Sequence, residues 1–175
     1  MAISKKIITD FFDQYSAHIT HVAVAHSSLH PHNATQAQID SMLATFQQQL
    51  RHFTNYFSQA VHGKKAQRKP YLYKPLYLIT IEGAHASALA HETIHAHFAL
   101  GNLPSELSVD ELKQIFTECW VEKAKIANDD IWFQPVYAYG PQGWNDYITK
   151  EIKRGNMEAW DTDNSWIPHA ALAKA

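Results

Sequence analysis

Two histidines stand at alternate positions of one short apolar segment, and a glutamate ends the apolar segment before it. The segment IHAHFAL carries His95 and His97, and the segment LYLITIE ends in Glu82. Side chains alternate between the faces of a β-strand, so both histidines would share one face. If the two segments pair as a hairpin, Glu82 lies beside His95. Two imidazoles and a carboxylate suit Mg²⁺ or Mn²⁺, and also Zn²⁺ or Fe²⁺, with positions left for a phosphate oxygen.

The third ligand has alternatives in the stretch that separates these two segments. Residues 83–94 hold His85, His91 and Glu92, any of which could replace Glu82. The chain also has twelve histidines in 175 residues, so abundance alone does not distinguish metal ligands from polar surface residues.

A tyrosine and a lysine near the C-terminus could supply a nucleophile and its partner. In GWNDYITKEIKRG, Tyr147 and Lys150 are three residues apart on a predicted helix, so they share a face. A phenol is a weak nucleophile at neutral pH, and a neighbouring ammonium favours the phenolate. The same spacing occurs at Tyr71 and Lys74, where prolines 70 and 75 argue against a helix. An aromatic packing residue remains the alternative interpretation of Tyr147.

Basic residues form two clusters that could contact a polyanion. The net charge is −2 with neutral histidines, so nucleic-acid binding would depend on local patches. The first cluster lies in GKKAQRK and consists of Lys64, Lys65, Arg68 and Lys69. The second follows Tyr147 and consists of Lys150, Lys153 and Arg154. Each could equally be an ordinary solvated surface.

The elements that position these residues follow from hydrophobic periodicity. Helices are predicted over about 4–16, 36–61, 109–120 and 144–153, with Thr35 and Ser108 as N-caps and Gly63 as a helix end. Strands are predicted over 19–26, 76–82, 94–100 and 131–139, with Pro135 indicating an edge strand.

After the first helix, this order is β-α-β-β-α-β-α. It predicts an α+β domain with a ferredoxin-like or RRM-like antiparallel sheet, helices on one face and an open face carrying the site. Val22 and Val24 are expected to face the core, which places His21 on the open face with the metal ligands.

Composition restricts the class of protein. The length suits one domain over residues 1–175, with a core of about 19–154 and a tail of 155–175. A single cysteine, Cys119, excludes an internal disulfide framework and fits the cytoplasm. No apolar run is long enough to span a membrane, and the N-terminus does not have the pattern of a secretory signal.

The order of the motifs resembles the HUH endonucleases, a superfamily that includes the rolling-circle replication initiators of plasmids and phages. The matching segments are ITHVAVAH, YLITIEG with IHAHFAL, and GWNDYITKEI, which frame residues 19–154. Ala96 departs from the family, which usually has a bulky apolar residue between the histidines. The lysine after Tyr147 resembles the initiators more than the small transposases, which usually carry glutamine there.

The resemblance implies a single-tyrosine endonuclease that nicks and joins single-stranded DNA at a specific sequence or hairpin. By it, Glu82, His95 and His97 hold Mg²⁺ or Mn²⁺, Tyr147 forms a 5′-phosphotyrosine, and Lys150 assists.

DNA contacts are expected from His21 and from the two basic clusters, and a host helicase and polymerase would complete replication. The chain has no P-loop motif for an ATPase of its own. Alternatives are a transposase- or relaxase-like strand transferase, a metal-dependent hydrolase with a structural Tyr147, and a non-catalytic RRM-like module.

Overall fold

A computed structural model describes residues 5–136 and 141–173 and shows an α+β architecture built on one open, four-stranded antiparallel sheet. The strand order is β2-β3-β1-β4, and every neighbouring pair is antiparallel. The strands are β1 (Ile19–His26), β2 (Leu76–Glu82), β3 (His95–Gly101) and β4 (Ile131–Pro135). The predicted strands are confirmed to within a residue, except that positions 137–139 of the last lie outside the described residues.

Helices precede, connect and follow the strands. They are α1 (Lys5–Gln14), α2 (Gln36–His62), α3 (Lys65–Arg68), α4 (Pro70–Tyr73), α5 (Val109–Glu118), α6 (Pro141–Ile148), α7 (Lys150–Lys153) and α8 (His169–Leu172). A π-helical turn, Cys119–Lys123, extends α5. The expectation that prolines prevent a helix around Tyr71 is wrong, because Pro70 occupies the first turn of α4, where its missing N–H is not needed.

The two principal helices begin as the sequence predicts. Thr35 and Gln38 form a reciprocal capping box at the start of α2, and Ser108 and Glu111 form another at the start of α5. Gly63 ends α2 with φ of 62°, a conformation that favours glycine.

One face of the sheet packs against α2 and α5. Its strand residues alternate as predicted and meet a group of aromatic rings from the helices, most of them in edge-to-face contact. The principal buried side chains are Tyr77, Ile79, Ile81, Phe98 and Phe133 from the sheet and Phe46, Phe53, Phe57, Phe116 and Trp120 from the helical layer.

The opposite face is also covered, which corrects the expectation of an open face. Helices α1, α6 and α7 pack there in a second hydrophobic cluster around Val22, Leu78 and Ala99, to which Phe12 and Ile148 belong. At the end of this face where β2 stops and β3 begins, polar side chains gather, among them Glu82, His95 and His97.

The predicted placement of His21 is wrong for the same reason. His21 pairs with Leu100, and its ring lies 5.5 Å from that of Phe133, on the face that packs against α2 and α5. Val22 and Val24 instead share the face of His97, since Val24 pairs directly with it. In β1 both faces are apolar, so the pattern did not reveal which valines faced which layer.

The edges of the sheet have different environments. Strand β4 is an edge strand, as Pro135 predicted, and pairs with β1. The outer edge of β2 is met by the C-terminal segment, where Tyr77 and Trp166 exchange two backbone hydrogen bonds of 2.9 and 2.8 Å. Asp161 adds a third by donating its N–H to the carbonyl of Ile79 at 3.0 Å. No helix in the described ranges has the length and apolar character needed to cross a membrane.

Candidate active site

Three potential metal ligands converge where β2 ends and β3 begins. The register places Glu82 opposite His95 and Thr80 opposite His97, so the carboxylate and both imidazoles share one face. One ligand atom from each of Glu82, His95 and His97 lies within 4.8 Å of the others. In the part of the chain that the structure describes, no other such group of three occurs. The predicted triad is therefore assembled, and His85, His91 and Glu92 are not part of it.

His95 is oriented by the backbone of its own loop. Its Nδ1 lies 2.9 Å from the carbonyl oxygen of Thr93. A carbonyl only accepts, so Nδ1 carries the proton and donates. In the neutral ring, Nε2 then keeps a lone pair, and it lies 3.7 Å from Glu82 Oε2. This arrangement is typical of histidines that coordinate metals.

His97 is completely buried, with 0% of its surface exposed. Burial is the largest influence on its pKa and lowers it, although Glu82 acts in the opposite direction. The ring is therefore neutral near pH 7 and can offer a lone pair. Its Nε2 lies 3.3 Å from Glu82 Oε2, and its Nδ1 has no hydrogen-bond partner among the described residues.

Glu82 is a buried carboxylate that is surrounded by positive and polar side chains. Lys150 Nζ lies 2.8 Å from its Oε2, the same oxygen that faces both imidazoles. Burial by itself would raise the pKa of Glu82, but His95, His97 and Lys150 outweigh it and hold that pKa well below its ordinary value. The carboxylate is ionised at neutral pH.

Unsatisfied polar atoms gather at the same place. Within the described chain, Thr80 Oγ1, Glu82 Oε1 and both ring nitrogens of His97 are buried without a hydrogen bond. Such groups are rare and require an explanation. A cation fits this donor set, because it would satisfy together the lone pairs of the carboxylate and of one nitrogen on each imidazole.

Tyr147 lies beside this group and is 44% exposed. Its ring centroid is 5.1 Å from that of His97, and Lys150 Nζ is 4.2 Å from the centroid of its ring. The predicted proximity of Tyr147 and Lys150 is confirmed, although the predicted single helix is divided at Thr149, whose hydroxyl donates to the carbonyl of Asn145 at 2.6 Å.

Lys150 connects the tyrosine to the triad. Burial would lower its pKa, but the hydrogen bond to Glu82 and the nearby carboxylate charge raise that pKa above its ordinary value. It is therefore an ammonium between a carboxylate and a phenol. Arg154 lines the adjoining polar cavity of about 330 Å³ together with Glu82 and His95, and it also pairs with Glu151 at 2.8 Å.

The remaining predicted contact residues are spread over the molecule. Lys153 pairs with Asp146 on the surface. Lys65 and Arg68 lie in α3, with Lys64 and Lys69 at its ends, near the start of β2. Glu82 is the last of the seven residues of β2, so the length of the strand, roughly 20 Å, separates this cluster from the triad.

One residue at the site was missed from the sequence. His26 pairs with His95 in the register, and their rings stack with centroids 4.7 Å apart and planes at 23°. Its Nδ1 lies 3.0 Å from Thr93 Oγ1, and its Nε2 lies 4.0 Å from Asp130 Oδ2. His26 is two residues from Val24 in β1, so the two side chains lie on the same face of the sheet. If the face of Val24 had been known, His26 could have been placed beside the triad from the sequence.

Comparisons with known proteins assign no family. No protein-family model, no curated protein and no solved structure matches the chain. The function must therefore be argued from the site itself.

Proposed function

We propose that this protein is a metal-dependent endonuclease of the single-tyrosine HUH type, which nicks and rejoins single-stranded DNA through Tyr147. The observation that carries the proposal is the contact of an exposed tyrosine ring with the buried triad of Glu82, His95 and His97. A nucleophile and a cation site must both reach one phosphate, and here their side chains are neighbours.

Each residue of the site has a role in the proposed reaction. The cation, Mg²⁺ or Mn²⁺ held by Glu82, His95 and His97, supplies Lewis-acid polarisation of the scissile phosphate. Tyr147 gives its phenolic proton to a solvent water molecule and attacks phosphorus. The Tyr147 O–P bond forms, the P–O3′ bond breaks, and the released 3′ oxygen takes up a proton. Reversal of these steps rejoins the strand without a nucleotide cofactor.

Lys150 favours this attack in two ways. Its ammonium lies against the Tyr147 ring and would stabilise the phenolate, and it adds positive charge where the phosphorus centre becomes more negative. It is held there by Glu82 and by its place at the start of α7. Removal of Lys150 would therefore weaken catalysis more than DNA binding.

The proposed fold is ferredoxin-like. The order of elements, β1-α2-β2-β3-α5-β4, and the strand order β2-β3-β1-β4 support it, since a split βαβ arrangement inserts one strand between two parallel neighbours. On this fold, the proposed biological role is initiation of rolling-circle replication on a plasmid or phage origin, with a host helicase and polymerase as partners.

The decisive experiment is a covalent-adduct assay on a random pool of labelled single-stranded DNA with Mn²⁺. We expect a protein–DNA species that survives denaturing electrophoresis and disappears in Tyr147→Phe, while DNA binding is kept. Tyr71→Phe is a matched control, because Tyr71 has the same spacing to a lysine and is 57% exposed on α4. An adduct that persists in Tyr147→Phe contradicts the assignment of the nucleophile.

Other outcomes of the same assay identify the alternatives. Free cleaved DNA without an adduct indicates a hydrolase in which Tyr147 is structural. Binding without cleavage indicates a non-catalytic nucleic-acid-binding module. Sequencing of the captured ends distinguishes an origin or hairpin target from the mobile-element ends that a transposase or relaxase would select.

A further inference from the structure

A second cavity lies beside Tyr147. It has a volume of about 500 Å³, and Val24, Trp132, Gly143, Trp144 and Tyr147 line it. That volume is within the range of small-molecule and cofactor sites. Tyr147 lines this aromatic cavity beside β1 and β4, and Lys150, whose ammonium lies over the Tyr147 ring, lines the polar cavity beside the triad.

Three aromatic rings form the walls of this cavity. The rings of Trp132 and Trp144 are stacked, with centroids 5.3 Å apart and planes at 24°. The ring of Trp144 in turn lies 5.2 Å from that of Tyr147 and 6.3 Å from that of His97. The aromatic surface is thus continuous from the edge strand to the proposed nucleophile and metal ligand.

Trp144 also has an unused polar group. Its indole N–H is buried, and none of the described residues accepts a hydrogen bond from it. A buried indole usually finds an acceptor. Because this N–H is buried, a ligand in the cavity meets the ring faces instead, and these match a flat aromatic group.

The phosphate and the base of a nucleotide match the polar cavity and the aromatic cavity, respectively. Its phosphate is anionic and suits the triad and Lys150, while its base is a flat aromatic ring with carbonyl acceptors. Stacking of bases on aromatic side chains is how proteins bind single strands with little sequence preference. An apolar aromatic cavity directly beside a phosphate site therefore favours a nucleobase over a peptide or a lipid.

We infer that the cavity of Trp132, Trp144 and Tyr147 binds the base of the nucleotide that adjoins the scissile phosphate. This inference rests on the proposed function and names the substrate contact that would position the strand for attack. Insertion of the base fixes the phosphate against Tyr147, so Trp132 is a binding and positioning residue.

Photocrosslinking and affinity measurements on one set of variants test this inference. The probe is a random-sequence single strand with 5-iododeoxyuridine in place of thymidine, bound to the Tyr147→Phe protein so that no nicking is needed. We expect crosslinked peptides to contain Trp132 or Trp144. In the same background, Trp132→Ala should weaken binding by about 5- to 150-fold, the range for loss of one stacked base.

Three controls make the result specific. Trp132→Phe keeps an aromatic ring and should restore most of the affinity, and circular dichroism checks that each variant is folded. Tyr56→Ala removes an exposed aromatic from α2, on the opposite side of the sheet, and should leave affinity unchanged. A strand of abasic sugar-phosphate should bind Trp132→Ala and its parent equally, since it has no base to stack.

The outcomes separate this inference from the nuclease proposal. Crosslinks confined to other surfaces, or equal affinities for Trp132→Ala and its parent, overturn the base site even if the adduct forms. Crosslinks at Trp132 or Trp144 without any adduct in the unsubstituted protein support the base site and overturn the nuclease. Absence of any binding to the strand overturns both.

Discussion

One oxygen of Glu82 faces both the ammonium of Lys150 and the two imidazoles of the candidate metal site. Its Oε2 accepts from Lys150 at 2.8 Å and also faces the two imidazoles that would share a cation. The lysine ammonium and a divalent cation repel each other, so cation binding must weaken or displace the Lys150 contact. The same side chain that would assist catalysis therefore opposes metal binding.

Substitution Lys150→Met tests this opposition. We expect Mn²⁺ to bind more tightly, by about fivefold if the displaced ion pair contributes about 1 kcal/mol, while adduct formation falls. Isothermal titration calorimetry measures the affinity. Lys153→Met is the matched control for the affinity, because Lys153 pairs with Asp146 and not with Glu82, and it should leave Mn²⁺ binding unchanged. Weaker Mn²⁺ binding in Lys150→Met would show that the lysine supports the metal site instead.

Among the elements of the fold, the turn after β2 determines how the candidate metal ligands are oriented. Gly83 directly follows Glu82 and has φ of 81°. A Cβ at this position would lie 2.5 Å from the carbonyl oxygen of Thr93, the acceptor that orients His95. The close approach of Gly83 to the backbone of Thr93 at this turn thus holds His95 in its ligating orientation.

We predict that Gly83→Ala weakens Mn²⁺ binding as well as stability. Gly63→Ala is the control, because Gly63 also has positive φ, 62°, but nothing lies within 4 Å of a Cβ there. That variant should lose only the cost of the strained backbone conformation, about 1–3 kcal/mol of unfolding free energy, and keep its Mn²⁺ affinity. Urea unfolding and calorimetry measure the two effects. Equal losses in both variants would mean that the contact with Thr93 has no influence on the site.

The sequence predicted the elements better than their faces. Strands β1 to β3, the N-cap at Thr35 and the capping box of Ser108 and Glu111 follow local rules, so short segments were sufficient. The hairpin register also followed, because Tyr77, Ile79 and Ile81 form an unbroken apolar row that leaves Glu82 on the other side. These rules assembled the triad correctly.

The errors about which face a residue occupies have one physical cause. A face covered by helices has no polar row, so β1, with Val22 and Val24 on one side and alanines on the other, did not indicate which side the ligands share. His21 was chosen where His26 was the neighbour of the triad. The aromatic cavity depends on α6 packing over β1 and β4, a long-range arrangement that no local spacing encodes.

At the scale of the whole molecule, buried histidines tie stability to pH. Burial lowers the pKa of His21, His26 and His97 below the ordinary value of 6.5. The unfolded chain takes up protons at these positions as the pH falls through 6.5, while the folded chain does not. The unfolding free energy should therefore be fully present above that pH and fall on acidification, by about 1.4 kcal/mol per pH unit for each proton of difference.

Substitution His21→Phe should reduce this slope below pH 6.5. Phenylalanine keeps the ring contact with Phe133 and removes the titrating group, and His21 is on the face opposite the triad, so metal effects are avoided. Urea unfolding with a chelator present, at several pH values, gives the slope. At pH 8 the substitution should leave the pH dependence unchanged. An identical slope in both proteins at acid pH would exclude His21 as a contributor.

The C-terminal segment along β2 also affects how copies of the protein meet. An unpaired outer strand is a template on which a second chain can form β-structure. Here Tyr77 and Ile79 already have their outward backbone groups engaged by Trp166, Asp161 and Ser165. This edge of the sheet is therefore closed to intermolecular strand addition. A chain shortened at Gly155 would expose the backbone N–H and C=O groups along the outer edge of β2, which would favour aggregation.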